Sequence, residues 1–222
     1  MRSFEVSRRD LIRYSLLTGA VARTASAQSR LSNVAHSGSR DLPARLIPVR
    51  CGSLEFLFDP QLAFVRYIKW QGVEVIRGIY AAVRDQVWGT ATPRVSNLIV
   101  TTEADSFRLR FDVECRQGPV DFAWTGTVEG APRELRFLLE GEARQTFLRN
   151  RIGFCVLHPL AECAGKPCRI DQVDGKVVNG TFPRSISPHQ PFKNLKIISH
   201  SLMDGVSAEV RFAGDTFEME DH

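Results

Sequence analysis

No apolar run in this 222-residue chain reaches the roughly 20 residues that a membrane-spanning helix needs. Charge of one sign is equally scarce. The whole chain carries 29 basic and 25 acidic side chains, and residues 1–27 hold five of the former and two of the latter, so the remainder is close to neutral. With no basic run or aromatic-basic stripe left to follow a phosphate backbone, nucleic acid is excluded as a partner. The five cysteines, at 51, 115, 155, 163 and 168, are an odd number, so a disulfide framework does not organise the fold. A Cys163–Cys168 bridge would close a small loop and stabilise by about 2 kcal/mol. The chain also has no G-x-S-x-G, no P-loop, no dinucleotide fingerprint and no internal repeat. No cofactor is implied.

The first residues do carry a pattern. Arg8 and Arg9 precede a short apolar run from Tyr14 to Ala22, followed by Ala25-Ser26-Ala27, the order of an export signal. SRRDLIR is similar to a twin-arginine leader, with Leu11-Ile12 where Phe-Leu is usual. The sequence thus divides into a leader over 1–27, a Ser- and Asn-rich lead over 28–44 and a folded region over 45–222. A bacterial periplasmic or secreted location follows, cytoplasmic if the leader does not function, with no membrane association after cleavage.

From residue 45 onward the main signal is alternation. SFRLRFDVEC sets Phe107, Leu109, Phe111, Val113 and Cys115 against Arg108, Arg110, Asp112 and Glu114, the period of a strand with one wet face. SLEFLFD and ELRFLLEG repeat the pattern. VEVIRGIYAAVRDQVW could also line a helix face, but its β-branched and aromatic residues favour a strand. Turn signals recur at DPQ (59), QG (71), QGP (117), EGAP (129), DG (174), NG (179) and DG (204). The expected fold is mostly β, an antiparallel β-sandwich. FEME opens as a further strand where the chain ends, so the sandwich is expected to be incomplete at its C-terminus.

Four stretches could carry chemistry. CVLHPLAECAGKPC spaces Cys155, His158, Cys163 and Cys168 like a small zinc knuckle, but Cys155 sits in a run that reads as buried strand, so core cysteines beside a loop histidine are favoured and no metal is assigned. In GTFPRSISPHQPF, prolines 188 and 191 stiffen a loop that presents His189 as a general base or hydrogen-bond donor; a structural loop histidine bonded to nearby carbonyls would account for the same residue. Arg84, Asp85 and Trp88, with Asn150 and Arg151, offer an indole, guanidinium groups and polar partners to a polyhydroxylated ring; an internal ion pair and a core tryptophan would account for the same residues. The fourth stretch is the end of the chain, where Glu218 and Glu220 would share a strand face.

GIYAAVRDQVWGT, RNRIGFCVLHPL, CAGKPC, GTFPRSISPHQPF and VRFAGDTFEMED together resemble the N-terminal domain of bacterial D-apionate lactonases, from about Arg45 to the last residue. The resemblance implies a sugar-mutarotase-like supersandwich followed by a barrel, and hydrolysis of D-apionolactone to D-apionate by the full-length protein. It further implies a truncated member, inactive alone, whose partner is a small sugar lactone or carbohydrate. Lactone opening needs an activated water and donors to the carbonyl oxygen, which makes His189, His158, Arg84 and Arg151 the catalytic candidates and Trp88, Asp85 and Asn150 the substrate-binding ones. A free-standing carbohydrate-binding module stacking sugar on Trp88 or Trp124, and a small epimerase- or lactonase-like enzyme, are the competing readings. Oligomeric state is left open.

Overall fold

A computed structural model describes residues 4–5, 45–184, 191–203 and 205–220. Among them the strands are β1 (Phe4–Glu5), β2 (Ile47–Cys51), β3 (Leu54–Asp59), β4 (Phe64–Trp70), β5 (Val73–Asp85), β6 (Pro93–Thr102), β7 (Phe107–Gln117), β8 (Val120–Ala131), β9 (Glu134–Ala143), β10 (Arg149–Leu157), β11 (Pro167–Gln172), β12 (Val177–Thr181), β13 (Leu195–Met203) and β14 (Val206–Arg211), with one short helix, α1 (Leu160–Cys163). They form three sheets, ordered β1-β6-β7-β8-β9, β10-β5-β4-β3-β2 and β12-β11-β13-β14. The ladders β6–β7–β8–β9, β2–β3 and β11 to β14 are antiparallel. No described helix is long and apolar enough to cross a membrane.

Two compact units divide the chain: residues 1–66 with 80–155, and residues 67–79 with 156–222. In the first, β7 realises the alternation of its sequence, with Phe107, Leu109, Phe111, Val113 and Cys115 all buried while Arg108 and Arg110 are exposed. Aromatic contacts join the two sheets face to face. Phe56 on β3 meets Phe107 at 5.2 Å, Phe58 meets Phe111 at 5.1 Å, and Phe137 on β9 meets Phe154 on β10 at 4.7 Å. This is a β-sandwich, as expected. Gly126 on β8 pairs with Phe111 across the ladder, and a Cβ there would collide with the Phe111 ring, so the glycine makes room for that fully buried aromatic. Trp124 packs at 5.7 Å from Phe111 and is 4% exposed, which removes it as a stacking platform for sugar. The ambiguous 73–88 stretch is strand as far as Asp85 and then turns.

The second unit is built on β11 to β14. Ile170 on β11 pairs with Ile198 on β13, and Ile198 with Val210 on β14. Ile170 and Ile198 join Cys163, Cys168, Phe182, Leu195, Leu202 and Val206 in a core against which Trp70, Val73 and Val75 pack. Two expectations change here. Asn179-Gly180, expected as a turn, lies inside β12 opposite Arg169 and Cys168; a Cβ at Gly180 would strike the Phe192 ring, so packing selects this glycine. FEME forms no strand, only a single bridge from Phe217 to Leu195. Glu218 and Glu220 therefore share no described strand face.

Candidate functional site

In the first unit, β5 ends in a tight loop that Asp85 organises. Its Oδ1 accepts the Val87 and Gly89 N–H groups at 2.9 and 2.8 Å, and its own N–H donates to the Gly89 carbonyl at 2.9 Å. A Cβ on Gly89 would fall 2.6 Å from the other carboxylate oxygen, so the glycine permits this arrangement. The loop lifts Trp88 out: the indole is 50% exposed and its φ is +69°, a left-handed conformation that bulky residues rarely take. Such strain is sustained only where surroundings enforce it, and it concentrates at functional positions.

Two cations face this indole. The guanidinium carbons of Arg84 and Arg151 lie 5.7 and 5.2 Å from its ring centroid, within cation–π range. Nε of Arg84 is buried without a hydrogen-bond partner among the described residues. Tyr80, two positions of alternation before Arg84 on β5, shares its strand face. Burial and the Cys155 thiol push the Tyr80 phenol above its ordinary value while Arg84 pulls it down, so the hydroxyl stays protonated and able to donate. The tertiary structure thus joins Arg84, Trp88 and Arg151 from segments more than sixty positions apart in sequence.

Other expected members fall elsewhere. The Asp85 carboxylate is occupied in building the turn. Asn150 sits between Arg149 and Arg151 on β10, where strand alternation directs it to the face opposite Arg151. His189 lies outside the described residues.

His158 belongs to the second unit, in a group with Cys163, which the sequence spacing had already set beside it, and His200, which that spacing did not reveal. It follows β10, and Pro159 then begins α1, whose single turn is closed by Cys163 N–H donating to the Pro159 carbonyl at 3.0 Å. Gly165 ends the turn at φ +72°, and reciprocal backbone bonds of 3.0 and 2.9 Å tie residues 165–166 to Phe182. His158, Phe182 and His200 on β13 then form a ring triangle with centroids 5.1 to 5.2 Å apart. Burial, and next the charge of His200, push the His158 imidazole down to about 4. Burial and then Lys166 lower His200. Burial and Glu162 push the Cys163 thiol up to about 11. All five cysteines are free thiols, so Cys163 and Cys168 are not bridged. The signal that marks His200 is its register: Ile198, His200 and Leu202 alternate on the buried side of β13.

Residues 34–222 match the family model for the N-terminal domain of D-apionate lactonase. The chain belongs to the D-apionate lactonase family. A D-apionate lactonase of Brucella anthropi is 36% identical over 190 residues, which cover 83% of this chain and 30% of that protein. The chain therefore spans about 30% of the length of the curated relative it matches. No solved structure matches it. Both the Trp88 and the His158 groups fall within the D-apionate lactonase N-terminal match.

Proposed function

We propose that the chain is the N-terminal β domain of a sugar lactonase, that it holds the branched-sugar lactone or its aldonate against Trp88, and that it turns over none by itself. Opening D-apionolactone to D-apionate is the reaction of the whole protein in this reading. The observation that carries it is the strained, exposed Trp88 with the Arg84 and Arg151 guanidinium groups within cation–π range of its ring. An indole stacks on the C–H face of a sugar ring, and two guanidinium groups against one ring favour a ligand with negative charge, as a carboxylate product or a carbonyl oxygen gaining charge would supply. The test is calorimetric titration of the purified chain with D-apionate and with an unbranched aldonate, beside a hydrolysis assay on D-apionolactone. Binding that Trp88→Ala weakens at least about tenfold, without hydrolysis, is expected. Hydrolysis by the chain alone would return the chemistry to its own groups, with His158, His189, Arg84 and Arg151 the residues to replace.

Export belongs to the same proposal. Arg8 and Arg9 ahead of the apolar run support it, and a reporter fused after residue 44 should reach the periplasm and stay behind when both arginines become lysine.

A further inference from the structure

His158, Cys163 and His200 come from three separate segments, the residue after β10, the end of α1 and the middle of β13, yet their ligand atoms all lie within 4.8 Å of one another. Cys163 is 3% exposed and His200 5%. Nδ1 of His158 and both ring nitrogens of His200 are buried with no hydrogen-bond partner among the described residues. Each buried polar atom left unpaired costs about 1–3 kcal/mol, so two rings with unpaired nitrogens, each offering one ligand atom beside the Cys163 thiol, call for a group that both rings can share.

We propose that His158, Cys163 and His200 bind one zinc ion, leaving one coordination position open. Two imidazoles and a thiolate form a borderline donor set that suits zinc and not magnesium or calcium, which take oxygen ligands. Zinc bond lengths place the donor atoms of a tetrahedral site about 3.5 Å apart, so the group closes by about 1 Å, within reach of side-chain rotation. Burial already favours the uncharged imidazoles that ligation requires. On binding, the Cys163 S–H bond breaks, its electron pair forms the S–Zn bond, and the proton leaves to buffer. The ligand set differs from the cysteine-rich spacing of the sequence: Cys155 is not a member, and Cys168, although buried in the same core, lies outside the group. Three protein ligands are the number found where zinc keeps a place for water or substrate, and this site is independent of the sugar-binding role given to Trp88.

The experiment strips the full chain with a chelator and titrates it with Co²⁺ and then Zn²⁺. One equivalent of Co²⁺ should produce tetrahedral d–d absorption and a thiolate-to-cobalt charge-transfer band, both displaced by Zn²⁺. Cys163→Ser should abolish the charge-transfer band and His200→Asn should weaken binding more than about a hundredfold, while Cys155→Ser and Cys168→Ser keep wild-type spectra. X-ray absorption of the zinc-loaded wild-type chain should give two nitrogen and one sulfur protein ligands, a measurement that does not depend on the variants folding. No stoichiometric binding, a charge-transfer band that survives Cys163→Ser, or a sulfur-free first shell would each overturn the proposal.

Discussion

Trp88 combines strain and exposure in one residue, and the two separate on substitution. Glycine adopts φ +69° without penalty, so Trp88→Gly removes backbone strain on the order of 1–3 kcal/mol while removing the indole. Thermal melting should show no loss of stability, whereas sugar affinity falls as far as in Trp88→Ala. A lowered melting temperature would mean that the indole is packing rather than ligand surface. Asp59 presents the opposite case. It is 3% exposed, accepts the Gln61 and Leu62 N–H groups at 3.0 and 3.3 Å, and pairs with Arg66 at 3.0 Å. Asp59→Ala strands a partly buried guanidinium and two amides, and urea denaturation should register a loss of about 3 kcal/mol. DPQ announced this turn in the sequence, but the ion pair with Arg66 forms only once β3 and β4 lie side by side.

Among the elements, two glycines of the β7–β8 hairpin should respond differently to the same change. Gly118, in the turn, has φ +56° and open space where a Cβ would go, so Gly118→Ala costs only the left-handed conformation, about 1 kcal/mol. Gly126 sits in the strand opposite Phe111, whose ring is fully buried. Gly126→Ala overpacks that core and should cost about 3 kcal/mol, with the hairpin otherwise intact. Guanidinium unfolding of the two variants side by side checks the order. The hairpin itself was legible, because alternation over 107–115 fixes which face is buried and QGP fixes the turn. Asn179-Gly180 was not legible, since a turn dipeptide and a glycine that clears space for Phe192 have the same letters.

For the molecule as a whole, the buried imidazoles set how stability follows pH. Unfolded, His158 and His200 titrate near 6.5; folded, His158 is held down to about 4 and His200 is also lowered. Above the unfolded value both states hold neutral rings and stability is level. Below it the unfolded chain takes up protons that the folded chain refuses, so stability is lost as pH falls from about 6.5 toward 4, on the order of 3 kcal/mol for His158. Urea midpoints of metal-free protein should fall across that window, and His158→Leu should flatten the slope; an unchanged midpoint would contradict the burial of these rings.

What the sequence by itself determined is what depends on near neighbours along the chain. Strand identity, the buried face of β7, most turns and the family likeness are written in periods of two and in short ordered motifs, and the pleat converts them directly into structure. What only the tertiary structure decided is what depends on residues distant in sequence arriving at one place. It put Trp124 inside and Trp88 outside, joined Arg151 to Arg84, and brought His200 to His158 and Cys163. Burial and pairing are properties of three-dimensional surroundings, and a single strand's pattern says which way a side chain points but not what it will meet.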